Sequence, residues 1–299
     1  HVRVPTQLIG GWYDFFLRGL LYDYHSLRAA GQQPYLTIGP WTHFSSILTL
    51  SDLREGLIWM DAHLKADRSQ LRSKPVRIYV MGAAEWRDLD SWPPPSQTVK
   101  WYLHDRGTLS GHPPDETESV DAFLYDPAYP TPALGGPQFS IGAGRRQNRR
   151  LEDRPDVLTF TSERLTNDLE VIGPVSLDLY VKPSLENADL FGRLCDVYPD
   201  GRSYNICDGL IHLTPDCAAS RQAAADGSFK ITIDLWATAY RFRRGHRLRL
   251  LIAGGAHPRW NRNAGVADGL YATELLSCTH LIWHDACHPS ALMLPVTSG

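Results

Sequence analysis

The sequence lacks any run of about 18 consecutive apolar residues, so no segment of it reads as a membrane-spanning helix. It also lacks an excess of one charge. Lys and Arg number 30 against 33 Asp and Glu, a formal net charge of −3, and the Arg-rich stretches 145–154 and 241–249 are balanced by acids elsewhere. Nucleic acid is therefore not an expected partner. Cysteine is scarce and odd in number: Cys195, Cys207, Cys217, Cys278 and Cys287 are spread over a chain of 299 residues. A secreted, disulfide-stapled domain carries a dense and even set, so reduced thiols and a cytoplasmic location are expected. The N-terminal residues do not show the basic, apolar and small-residue succession of a signal peptide. Internal repeats and low-complexity segments are absent too. The chain opens on His1 rather than Met, with an apolar run immediately after it, which reads as the continuation of something upstream.

What is present suffices for one large or two modest cores, with 43% hydrophobic and 21% charged residues. Periodicity divides the chain into two units, 1–72 and 73–299. In the first, residues 2–10 form an apolar run ending in Gly10 and Gly11. Residues 15–30 then place Phe16, Leu17, Leu20, Leu21, Tyr24 and Leu27 at helical spacing before Gly31, a helix stop. A second strand is predicted over 34–38. Strand, helix and strand within forty residues form a crossover unit, whose strands lie parallel in one sheet. Ser51 is expected to cap another helix with Leu53, Leu57, Met60 and Leu64 on one face.

Beyond Lys74 the helical period fades and short apolar runs alternate with turn residues. Strands are predicted near 76–81, 100–103, 122–125, 157–161, 175–181, 190–198, 203–213, 229–235, 247–253 and 291–294. Asp200-Gly201 is read as a hairpin turn and 92–144 as long surface loops. The pattern is that of a β-sandwich or jelly roll.

In an open parallel sheet, functional groups collect beyond the carboxyl ends of the strands. Asp14 follows the first strand in Gly10-Gly11-Trp12-Tyr13-Asp14, and His43 follows the second in Gly39-Pro40-Trp41-Thr42-His43. Taken singly, Asp14 reads as a helix cap and His43 as a loop histidine. On neighbouring strands about 4.8 Å apart, however, the carboxylate can hold one imidazole nitrogen and orient the ring as a general base. In hydrolases built this way the order is serine, acid, histidine, so the nucleophile would precede Asp14. No serine does; the first is Ser26, inside the crossover helix. Gly201-Arg202-Ser203-Tyr204-Asn205 comes nearest to a nucleophile elbow, but it lacks the closing Gly and follows His43, so Ser203 reads as a turn serine. His284, Cys287 and His288 have spacings that would suit zinc on a helix, yet no metal is expected, and no cofactor.

The motifs Gly11-Trp12-Tyr13-Asp14 and Gly39-Pro40-Trp41-Thr42-His43 resemble the acid and base motifs of the CocE/NonD family, which is related to X-prolyl dipeptidyl-peptidases. His63-Leu64-Lys65, Met81-Gly82 with Glu85-Trp86-Arg87, Tyr125-Asp126-Pro127 and 196–202 also resemble family segments, as do Gly245-His246-Arg247 and 258–263. The resemblance implies the tail of an α/β-hydrolase domain over 1–72 and a jelly roll, galactose-binding-like, over 73–299. It implies Asp14 as triad acid and His43 as base, with the serine and the oxyanion hole in a missing N-terminal half. The implied substrate is a small ester or amide. In relatives acting on α-amino acid esters, acidic residues follow the triad Asp; here Phe15, Phe16 and Leu17 do, which points to an apolar acyl pocket with Phe16 as a wall. Tyr240 and Phe242 resemble the loop that reaches the pocket in that family and are expected to touch substrate. The rival class is a non-catalytic β-sandwich that binds a ligand or a partner. A truncated sheet would expose an unpaired apolar edge and face around residues 1–40, a hazard for self-association.

Overall fold

The computed structural model describes residues 2–297 apart from 116, 118, 216–223 and 268–270. The smaller sheet has four strands in the order β1-β2-β3-β4, formed by β1 (Gln7–Tyr13) and β2 (Tyr35–Thr42) of the 1–72 unit and by β3 (Val76–Val80) and β4 (Glu85–Leu89) beyond it. Strands β1, β2 and β3 are parallel and β4 closes the sheet antiparallel. Helix α1 (Leu17–Ala29) makes the crossover between β1 and β2, as the spacing predicts. It turns Leu17, Leu21 and Tyr24 inward and ends in a Schellman motif. There Gly31 at φ +80° allows its own N–H to reach the Arg28 carbonyl, while the Gln32 N–H reaches that of Leu27.

Three boundaries in this unit differ from the periodicity reading, each for a packing reason. Strand β1 begins at Gln7, where Tyr35 first lies opposite it, so Val2 and Val4 remain exposed. It then continues through Gly10 and Gly11 to Tyr13. Gly11 is required because a Cβ there would collide with the carbonyl of Trp41 on β2; it permits close approach and does not end the strand. Helix α2 (Ser46–Leu64) begins five residues before the predicted cap, so Ser51 lies within it. Its sheet-facing side is occupied by Trp59, Ala62 and the Glu55–Arg72 ion pair at 2.6 Å. The leucine stripe faces the other way, with Leu53, Leu57, Met60 and Leu64 between 54% and 77% exposed.

The larger unit holds eleven strands: β5 (Gln97–His104), β6 (Thr108–Ser110), β7 (Val120–Tyr125), β8 (Val157–Ser162), β9 (Leu169–Pro183), β10 (Ala188–Val197), β11 (Ser203–Leu213), β12 (Phe229–Phe242), β13 (Arg247–Ala253), β14 (Cys278–Trp283) and β15 (Ala291–Val296). They pair in the order β11-β10-β13-β8-β6-β5-β15-β9-β14-β7, with β12 paired to β9. The path folds back on itself, and β12 packs against β10 and β11 without backbone pairing to either. The core lies between these layers, as where a Cβ on Gly192 would strike Leu177 and Leu235.

The predicted strands recur here, two with their expected bounds, Ser203–Leu213 and Arg247–Ala253. The 200–201 hairpin turn forms with Gly201 at φ +86°. Strands β9 and β12 run far past their predicted limits because they pair together from Phe229↔Val181 to Phe242↔Leu169. A bulge between Asp234 and Ala237 breaks the alternation that marks a strand in sequence. Sequence periodicity does not reveal β4, β6 and β14. Strand β4 is charged, β6 has three residues, and β14 turns His280 to the core where an apolar residue is expected. Within the loop-rich 92–144 region the strands predicted near 100–103 and 122–125 appear as β5 and β7, with β6 in addition. Cys195, Cys207, Cys278 and Cys287 are free thiols, and Cys217 lies outside the described residues. No helix of the described residues is long and apolar enough to cross a membrane.

Candidate active site

The register of β1 and β2 pairs Gly11 with Gly39 and then, across an irregularity, Tyr13 with Thr42. One residue further along each parallel strand stand Asp14 and His43, so the backbone delivers both side chains to the same end of the sheet. The Asp14 backbone N–H turns back to the Gly11 carbonyl at 3.0 Å, and its own carbonyl accepts the Leu17 N–H that opens α1. Asp14 is 4% exposed. Its Oδ1 accepts the Phe16 backbone N–H at 2.9 Å, and its Oδ2 faces His43 Nδ1 at 3.2 Å. The N-cap of α1 is Phe16 and not Asp14; the carboxylate is held instead by the backbone N–H two residues on and by an imidazole. A group held at two points cannot swing away from the ring, which orients it.

His43 sits in an aromatic surround. Ring centroids of Phe15, Phe16 and Phe44 lie 4.7, 5.2 and 5.4 Å away, and Phe139, from the larger unit, lies against Phe15 and Phe44 at 5.3 and 4.9 Å. With Nδ1 on Asp14, the nitrogen left for chemistry is Nε2, which has no hydrogen-bond partner among the described residues. Phe16 is 59% exposed and touches the imidazole edge-on, so it lies at the site and not in the helix packing.

The structure buries both Tyr240 and Phe242. Phe242 is fully buried in the main core, 4.8 Å from the ring of Tyr240, and offers no surface to a substrate. Both stand on the long β12, where the strand runs inward instead of ending at the pocket mouth as the resemblance implies. Tyr240 donates to Asp196 Oδ2 at 2.7 Å, and Asp196 also faces His246 Nδ1 at 2.9 Å. Burial, followed by the Asp196 charge, pushes the Tyr240 hydroxyl well above the ordinary phenol range. Its ring lines a cavity of about 540 Å³ under the His43 loop, shared with Trp41, Thr42, Tyr198 and Arg145.

Ser203 is fully buried at the first residue of β11, inaccessible to any substrate. The imidazole nitrogens of His284 face Ser119 Oγ and Asp121 Oδ2, at 2.8 and 3.0 Å, and His288 Nδ1 faces Asp285. Sequence reasoning does not find Phe139 or the buried group Arg193, Asp208 and Arg259. The first sits in a Pro/Gly loop without periodic signal, and the second comes from three separated segments.

A family model for the X-Pro dipeptidyl-peptidase C-terminal non-catalytic domain matches residues 70–293, which leaves Asp14 and His43 outside the matched span. Cocaine esterase of Rhodococcus sp. (strain MB1 Bresler) is 33% identical over 331 aligned positions, covering 99% of this chain and 57% of its own length. Among solved structures, an aminopeptidase from a marine sediment Thaumarchaeota archaeon superposes with a TM-score of 0.87 at 22% identity, over 99% of this chain and 55% of that one. A CocE/NonD family hydrolase from Staphylococcus aureus superposes with a TM-score of 0.69 at 15% identity, with the same coverage. The chain therefore spans a little over half the length of each of these proteins. Because the family model takes in most of its residues, the chain belongs to the X-Pro dipeptidyl-peptidase C-terminal domain family.

Proposed function

We propose that the protein works as a serine hydrolase of the CocE/NonD type on the ester or amide bonds of small acyl or peptidyl substrates, with Asp14 and His43 as two members of a Ser-His-Asp triad. In this reading residues 1–72 are the tail of an α/β-hydrolase domain, onto which β3 and β4 are hydrogen-bonded, and 73–299 form a galactose-binding-like jelly roll. Polypeptide upstream of residue 1 supplies the nucleophilic serine and the oxyanion hole. Asp14 accepts a hydrogen bond from Nδ1–H, which keeps the proton on that nitrogen and leaves Nε2 unprotonated. Nε2 takes the serine proton as the hydroxyl attacks the carbonyl, then returns it to the leaving group while Asp14 stabilises the imidazolium. Phe15, Phe16 and Phe139, grouped around the ring, make the acyl side apolar.

The observation that carries the reading is the 3.2 Å approach of Asp14 Oδ2 to His43 Nδ1, with Nε2 unengaged. Cocaine esterase, a relative at 33% identity, supports it. The description of the matched domain as non-catalytic favours a binding or packing role for residues 70–293 and does not touch the dyad. In a protein carrying the upstream half, His43→Ala is expected to lower kcat/KM for a neutral aryl ester by roughly 10³-fold or more, with an unchanged melting profile. Retained turnover would exclude His43 as the base.

A further inference from the structure

Next to the dyad, on the sandwich side, lies a second cavity of about 340 Å³. Phe15 and Phe139 form its near wall, with Phe15 also against the His43 ring, and Trp236, Trp260 and Arg259 form the far wall. Apart from Arg259, its lining holds no charged side chain. The Arg259 guanidinium is stacked between two indoles, with its central carbon 3.9 Å from the Trp260 ring centre and 5.0 Å from that of Trp236.

The charge behind this wall is not balanced. Arg259 Nη1 bonds Asp208 Oδ1, while Arg193 uses Nε and Nη2 on Asp208 Oδ2 at 3.0 and 2.7 Å. The remaining donor of that fork, Arg193 Nη1, goes to two neutral oxygens, the Leu134 carbonyl and Asn148 Oδ1. One carboxylate thus serves two guanidiniums, all with side chains 6% exposed or less. Arg259 Nη2 is buried with no hydrogen-bond partner. An unmatched buried cation with a free N–H is costly unless an anion joins it, and a planar guanidinium is matched to a carboxylate.

We propose that this cavity is a binding site for an aryl carboxylate, with the carboxylate directed at Arg259 and the ring held among Phe15, Phe139 and Trp260. Its assignment as a substrate subsite, selecting substrates that carry a free carboxylate away from the scissile bond, rests on the hydrolase reading; the binding itself does not. Arg259→Met leaves Arg193 and Asp208 as a one-to-one pair, so it removes the unmatched charge without stranding the acid. Ser140→Trp fills the cavity from its rim and leaves that buried pair untouched.

The test is titration of the 299-residue chain with 3-phenylpropionate and with its neutral amide, followed by tryptophan fluorescence and calorimetry. Saturable binding of the acid at least tenfold tighter than that of the amide is expected, reduced tenfold or more by either substitution. Equal affinity for acid and amide, no saturable binding by the acid, or acid binding within twofold of the parent in both variants would overturn the site. No turnover is measured, so this result stands apart from the His43→Ala assay on a neutral ester, which tests the hydrolase reading alone.

Discussion

At the residue scale, the dyad depends on two atoms of one carboxylate. Oδ1 is committed to the backbone at the start of α1 and Oδ2 to the imidazole. Asp14→Asn keeps the shape but places an amide where a proton acceptor is needed, and the imidazole then presents the wrong tautomer. In a protein carrying the upstream half, this change should lower kcat by about 10³- to 10⁴-fold with little effect on folding, as steady-state kinetics alongside circular dichroism would register. A loss of less than tenfold would remove Asp14 from the mechanism. Both residues are legible in the sequence because each follows a Gly-containing strand end, and strand ends are where a parallel sheet concentrates its chemistry. Arg193, Asp208 and Arg259 are not legible, because nothing local distinguishes a strand arginine that is wholly buried from one in solvent.

At the scale of elements, α1 and β14 carry separate predictions. Gly31 closes α1 at φ +80°, in the left-handed region where a Cβ is strained, so Gly31→Ala should cost about 1 kcal/mol, read from urea unfolding. On β14, His280 is 1% exposed, stacks on Phe123 at 4.8 Å, and has no hydrogen bond at either ring nitrogen. Burial alone lowers its pKa to about 4 from the ordinary 6.5, so the folded protein holds it neutral while the unfolded chain protonates it earlier. The stability this neutrality supports is complete above pH 6.5 and is lost as pH falls from there through 4. Between pH 7 and pH 4.5 the loss amounts to about 2 kcal/mol. His280→Leu should therefore unfold less steeply on the acid side than the parent, and identical acid slopes would show that His280 is not held neutral. This inward histidine is also what hides β14 from a period-two reading.

At the scale of the molecule, the outer face of α2 is the main departure from a closed surface. Ile47, Leu50, Leu53, Leu57, Met60 and Leu64 are each more than half exposed, at spacings of three and four residues. The expected apolar face at the sheet around residues 1–40 is not found: Leu36 and Ile38 in β2 are fully buried, and the exposed stripe lies on α2. Strand β1 does keep one unpaired edge. Stripes of this extent drive association in water. The 299-residue chain should therefore self-associate and bind a hydrophobic dye, and Leu53→Glu with Leu57→Glu should suppress both in sedimentation and fluorescence. A monomeric parent chain without dye binding would contradict this.

By itself the sequence determines the crossover unit, most strand positions and the placement of Asp14 and His43, because these follow from local periodicity and from glycines that permit close approach. Tertiary structure alone decides the length of β9 and β12, the burial of Phe242, the outward turn of the α2 leucines and the meeting of Arg193 with Arg259 around one acid. Each of these depends on which surface lies opposite a residue, and that is set by segments far away in the chain, beyond the reach of any local pattern.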